Sequence, residues 1–212
     1  MIEPTLGVIL AGGLARRMGG GDKALRLVGG QTVMARLILR MSPQVTRLIV
    51  NANADNTSPN TGRGRFAALG LPVVADSLPD HPGPLAGVLA GLDWAAANAP
   101  GTAWIVTVPG DAPFLPQDLV ARLHQVREAA GVPFACAASG GWTHPVIALW
   151  PLALREELRR AVAEEGLRKI DAFTARHGAA AAEWPANPVD PFFNVNTPED
   201  LAEADRLAAT AG

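Results

Sequence analysis

A chain of 212 residues that is 49% apolar with a net charge of −2 can bury a full α/β core, and it is neither a disordered segment nor a basic coat for nucleic acid. It shows no apolar run of about 18 residues, and Glu3 and Pro4 stand where a signal peptide would be basic and then apolar. The expectation is a cytoplasmic enzyme with no membrane and no nucleic-acid partner; Cys136, the single cysteine, excludes an intrachain disulfide and a multi-thiolate zinc site.

Gly7-Val8-Ile9-Leu10 is a short apolar run that stops at Gly12-Gly13, the pattern of a buried parallel strand ending in a tight turn. The continuation to Lys23 carries Arg16, Arg17 and further glycines, with no apolar periodicity. Each glycine costs a helix roughly 0.5–1 kcal/mol relative to alanine, so the stretch reads as a loop. Glycines expose backbone N–H groups, and Arg16, Arg17 and Lys23 supply the charge that phosphate oxygens need. Of the 18 basic residues only Lys23 and Lys169 are lysines, which makes a lysine in this loop notable. No Gly-Lys-Ser/Thr occurs, so this is not a Walker A loop, and Gly62, Gly64 and Ala67 match GxGxxA only within a polar segment that reads as loop.

Beyond the loop, Thr32 can cap a helix with Val33, Leu37, Ile38 and Met41 on one face. Residues 47–51 form a second strand ending in Asn51, and residues 71–75 a third with Asp76 at its end. Leu85, Val88, Leu89 and Leu92 mark an amphipathic helix whose Gly83 leaves room for a ligand at its positive end. Residues 104–108 are apolar throughout, as at a sheet centre, and run into Pro109-Gly110-Asp111. A helix with Leu119, Leu123 and Val126 inward follows, then strands over 132–138 and 146–150 around a Gly140-Gly141 turn. Pro151 reads as the first residue of a charged helical stretch reaching about Arg176, and residues 179–184 as a short strand. Thr197 caps the last helix, with Pro198 first and Asp200 as its capping-box partner.

Strands and helices alternate through residues 1–130, which predicts a doubly wound, mostly parallel sheet in three α/β/α layers. The whole of 1–212 reads as one domain, with a nucleotide-binding half over about 1–115 and an acceptor-binding half over about 116–212. Ligands on such sheets bind at the carboxyl ends of the strands, where Asn51, Asp76, Asp111 and the loop from Ala11 to Lys23 all fall. Asp111 suits a magnesium ligand, since that ion takes few carboxylates and fills its sphere with phosphate and water; the lesser alternative is a carboxylate that caps the next helix or stabilises the turn. Asp76 has the same two readings. His124 and His177 read as solvated helix residues, and His81 and His144 as loop residues beside prolines. The absence of a nucleophile constellation accords with phosphoryl-type transfer, where positioning and charge neutralisation dominate.

Leu10-Ala11-Gly12-Gly13, Arg17-Met18-Gly19 and Asp22-Lys23 resemble the LAGGxxxRMGxxDK signature of the molybdenum cofactor guanylyltransferases. The resemblance continues through Val50-Asn51-Ala52-Asn53, Asp76-Ser77, the PGPLAG of 82–87, the PGDAP of 109–113, His144-Pro145 and the NVNTPEDL of 194–201. It implies a Rossmann-like nucleotidyltransferase fold in which Leu10, Ala11, Gly12 and Gly13 hold GTP, and Lys23 and Arg17 contact its phosphates. Asn51 and Asp76 would recognise guanine or ribose, Gly83 would make room for the nucleotide, Asp111 would bind Mg²⁺, and Asn194 and Asn196 would face molybdenum-molybdopterin. The implied reaction is attack of the pterin's terminal phosphate on the α-phosphorus of GTP, with loss of pyrophosphate and formation of a guanine dinucleotide cofactor. Molybdopterin-loading enzymes and apo-molybdoenzymes or their chaperones would be further partners. The alternatives on this scaffold are a cytidylyltransferase of the same cofactor and a sugar-phosphate nucleotidyltransferase. An alternative of another class is a non-catalytic GTP-binding adaptor.

Overall fold

The computed structural model describes residues 3–12, 23–53, 64–78 and 83–210. Among them the main strands are β1 (Thr5–Leu10), β4 (Arg47–Asn51), β5 (Val73–Val74), β6 (Trp104–Pro109), β7 (Phe134–Ser139), β8 (Trp142–Pro151) and β9 (Ala179–Trp184); β2 (Leu27–Val28) and β3 (Gln31–Thr32) make a separate small hairpin. The seven strands pair in the order β5–β4–β1–β6–β8–β7–β9. β1, β4, β5 and β6 are parallel, β8 is antiparallel to both its neighbours, and β7 and β9 are parallel to each other.

Among the described residues six α-helices cover the two faces. One core layer combines Met34 and Leu37 of α1 (Val33–Met41), Leu119 and Leu123 of α3 (Leu119–Ala130) and Ala204 of α6 (Pro198–Thr210). The other combines Leu85 and Leu89 of α2 (Pro84–Asn98), Leu158 of α4 (Arg155–Ala163) and Phe173 of α5 (Ile170–Thr174). With helices on both faces, the chain has the expected three-layer, doubly wound arrangement. Thr32 caps α1 through Ala35 N, and Asp200 and Thr197 cap α6 reciprocally, as their spacing predicts.

Five expectations are corrected. The strand expected over 71–75 is only Val73–Val74. The GxGxxA segment is partly helical, since Gly64–Leu69 forms 3-10 turns. α2 is no amphipathic stripe: every residue from Leu85 to Leu92 is buried, because alanine and glycine between the leucines let the helix sink between sheet and neighbours. Pro151 ends β8 rather than opening a helix, and Leu152–Leu154 makes a 3-10 turn before α4. The charged stretch is two helices, since the chain leaves α4 at Glu164 and Leu167 N turns back to Ala161 O at 2.9 Å.

The histidines differ too. His144 lies within β8. His124 is only 6% exposed and shares a 2.8 Å hydrogen bond with Thr5 Oγ1, which itself donates to Glu3 O. His177 is half-buried and bonds Glu157 at 2.8 Å. Each keeps a polar partner, which is how a histidine becomes tolerable away from water.

Candidate functional site

The sheet register aligns Val74, Asn51, Leu10 and Pro109 in one row across β5, β4, β1 and β6. Two residues further along each strand's path stand Asp76, Asn53, Gly12 and Asp111. Backbone bonds stitch this end together: Gly110 N donates to Leu10 O at 2.9 Å, Ala11 N to Asn51 O at 2.8 Å and Ala52 N to Val74 O at 2.9 Å. The chemistry-bearing residues therefore ride on rigid strand ends, where open α/β sheets bind ligands.

A cleft of about 390 Å³ opens there, lined among others by Leu10, Gly12, Asn51, Asp76, Gly83 and Val146. Its size is within the range of small-molecule sites. The polar end is a fixed network. The buried Asn51 Nδ2 donates to Asp76 Oδ1 at 2.9 Å, Asn53 Nδ2 donates to Asp76 Oδ2 at 2.7 Å, and Asp76 N donates to Asn53 Oδ1 at 3.0 Å. Each carboxylate oxygen thus receives one amide and keeps acceptor capacity. Opposite it, α2 begins at Gly83, whose φ of 135° is open to glycine, and Pro84 is the first helical residue. Gly87 is needed for a different reason: a Cβ there would stand 2.5 Å from Asn51 Oδ1 and 2.9 Å from Leu10 Cδ2.

Of the residues singled out in the sequence, Leu10, Gly12, Asn51, Asp76 and Gly83 line this cleft. Ala11 is buried beside it and bonded to β4. Asp111 is half-buried in the turn after β6, and its carbonyl accepts from Val195 N at 2.9 Å. That bond brings the 194–196 segment beside Asp111; Asn194 is exposed and Asn196 half-buried, and Asn196 N donates to the Asp200 carboxylate. Gly13 and Arg17 lie outside the described residues, as does the Lys23 side chain, whose backbone opens a 3-10 turn over Lys23–Leu25.

Sequence reasoning gave no role to Asn53, Gly87, Pro109 or Val146, which also line the cleft. Asn53 was signalled by its two-residue offset from Asn51. Val146 carried no signal, because it reaches the cleft only where β8 bulges. The β7 register jumps between Cys136 and Ala137 while β8 advances from Ala148 to His144, leaving three β8 residues unmatched. Among the described residues no cluster of three or more potential metal ligands occurs. Asp111, which belongs to no such cluster among the described residues, does not make a zinc or calcium cage, but a single carboxylate fits a magnesium-like ion that draws its remaining ligands from phosphates and water.

The family described as MobA-like NTP transferase domain matches residues 7–180. A molybdenum cofactor guanylyltransferase of Nitrobacter hamburgensis is 57% identical over 211 residues, covering 100% of this chain and 98% of the relative. Among solved structures, the molybdopterin-guanine dinucleotide biosynthesis protein A of Archaeoglobus fulgidus superposes with a TM-score of 0.74 at 22% identity, covering 97% of this chain and 99% of that one. A Mycobacterium tuberculosis protein solved as a complex with manganese gives a TM-score of 0.64 at 20% identity, covering 96% and 98%. With near-complete coverage at that identity, and a family model matching residues 7–180, the chain belongs to the molybdenum cofactor guanylyltransferase family.

Proposed function

We propose that this protein transfers GMP from GTP to the terminal phosphate of molybdenum-molybdopterin, forming the guanine dinucleotide cofactor. An acceptor phosphate oxygen attacks the α-phosphorus of GTP; a new P–O bond forms, the bond to the β-phosphate's bridging oxygen breaks, and pyrophosphate leaves. The acceptor is already an anion, so no base is needed to make it nucleophilic, in keeping with a site that offers positioning and charge rather than a nucleophile.

The observation that carries the reading is the Val195 N to Asp111 O bond, which joins the turn two residues beyond the cleft-lining Pro109 to the segment of Asn194 and Asn196. In this reading Leu10, Ala11, Gly12 and Gly13 cradle the nucleotide with Gly83 opposite. The Asp76 carboxylate, held by Asn51 and Asn53, accepts from guanine N–H groups or ribose hydroxyls. Lys23 and Arg17 neutralise the phosphates as charge builds on them. Asn194 and Asn196 hold the acceptor. Asp111 would hold a divalent ion, which when bound supplies charge neutralisation across the phosphates. The manganese complex of the Mycobacterium tuberculosis protein supports a divalent ion in this fold, and magnesium is the ion this carboxylate suits.

The test is a nucleotide panel. With loaded acceptor and Mg²⁺, GTP should release pyrophosphate and yield a product heavier by one GMP, while ATP, CTP and UTP should not. Preference for CTP would reassign the substrate, and GTP binding without pyrophosphate would leave only an adaptor.

A further inference from the structure

The return of the chain from β9 to β6 has to be held in place, and the structure shows what holds it. β9 ends at the same edge of the sheet as the nucleotide cleft, because β7 and β9 run parallel to each other and antiparallel to β8. From Trp184 the chain crosses back over β7 and β8 to reach Asp111 after β6, three strand spacings or roughly 14 Å. Near the middle of that path stands a hydrogen-bonded line of side chains. Ser139 Oγ, at the end of β7 and 2% exposed, donates to Asp190 Oδ1 at 2.9 Å and lies 2.8 Å from His144 Nε2. A hydroxyl has one proton, so with that proton given to Asp190 the Ser139 oxygen accepts from His144 Nε2–H. Asp190 Oδ1 also accepts from Phe192 N at 2.9 Å, and the Phe192 ring is packed between His144 and Trp184, at 4.9 and 5.3 Å between centroids.

We infer that Ser139, His144 and Asp190 are positioning residues for the acceptor: the directed line from His144 through Ser139 to Asp190 fixes the crossing segment, so that Asn194 is presented beside Asp111. This rests on the reading of Asn194 as an acceptor contact. The segment then has three fixed points: Asp190 on β7, Val195 N on Asp111 O, and the capping box of α6. Of these only the first depends on side chains with no other evident duty. Asn194, which projects between the anchors, is exposed, so its position follows the backbone path that the anchors set. The cleft draws its walls from β1, β4, α2, Asp76, Pro109 and Val146, and none of Ser139, His144 and Asp190 is among its lining residues. Loosening the line should therefore be felt by the acceptor before the nucleotide.

The experiment is steady-state kinetics on the full-length enzyme, varying molybdenum-molybdopterin at saturating GTP and the reverse, with Ser139→Ala, His144→Leu, His144→Gln and Asn194→Ala. Ser139→Ala and His144→Leu should raise the acceptor KM about tenfold, the scale of one lost hydrogen bond, with the GTP KM within about twofold of the parent. His144→Gln, which keeps an N–H donor at similar reach, should recover most of the loss and also answers for any variant that fails to fold. An equal rise in both KM values, or no recovery with glutamine, would overturn the positioning role. If Asn194→Ala raises the acceptor KM and Ser139→Ala does not, the positioning role falls while the acceptor reading stands. If neither moves it, both fall.

Discussion

Position 87 shows how one missing methyl can set a binding site. Asn51 occupies the space that a Gly87 side chain would fill, and from there it holds Asp76 at 2.9 Å. Gly87→Ala should push the amide aside, release Asp76 and raise the GTP KM about tenfold, with a smaller change in kcat at saturation; calorimetric GTP titration checks it. In the proposed reaction Asp111 and Lys23 should behave in the opposite way, their contribution growing with charge in the transition state. Asp111→Asn and Lys23→Ala should each lower kcat about a hundredfold or more with the fold intact, equivalent to ~3 kcal/mol, and Asp111→Asn should change the dependence of rate on added Mg²⁺. Unaltered magnesium dependence would move the ion elsewhere. The strand-end placement of Asp76 was legible in the sequence because a carboxylate directly after an apolar run has few places to go, and that of Asp111 because Pro109-Gly110 marks the end of its run. Gly87 was not, because its neighbour across the gap comes from a strand 36 positions earlier and only the packed structure shows it.

Among elements, α3 carries the clearest pH-sensitive contact. His124 is buried against Thr5 of β1, with its Nδ1 unpartnered among the described residues and the Arg127 guanidinium nearby. Burial, reinforced by Arg127, lowers its pKa below the ordinary 6.5, against a smaller pull upward from Glu3 and Glu128. The unfolded chain therefore takes up the proton first on acidification. The contribution of this contact is complete above about pH 6.5 and is lost as pH falls through the depressed folded value. Urea midpoints measured downward from pH 7.5 should decline, and the decline should be shallower in His124→Gln; identical slopes would show that other groups govern acid stability. Helix periodicity placed His124 on a solvated face. Arg127, stacked 4.2 Å over Trp104 and bonded to Glu3 at 2.6 Å, helps close that face off, and Glu3 lies 124 positions earlier in the chain. α1 and α6 were legible to their caps because a cap is a local matter. The break after α4 was not, because a run of Arg and Glu reads as helix whether or not packing continues it.

At the scale of the molecule, the two halves of the chain share one sheet and one core layer, in which Ile9 and Met34 belong to the same cluster as Trp184, Phe192 and Ala204. Heating should therefore give a single calorimetric transition over the whole chain, and two resolved transitions would divide it into separate units. The doubly wound half was legible from its alternation of strands and helices. The reversed strand β8 was not, since an apolar run does not declare its direction. That reversal has its own consequence. It turns the Gly140–Gly141 corner toward the same edge as the parallel strands' carboxyl ends, with Trp142, 78% exposed, at its base. A corner of this kind can lengthen or shorten without breaking a single rung of the ladder behind it. The fold thus carries an adjustable parapet on the edge where the cleft opens, and under the proposed reaction it is a natural place to graft residues that favour a bulkier or smaller incoming phosphate compound while the cleft itself stays as it is.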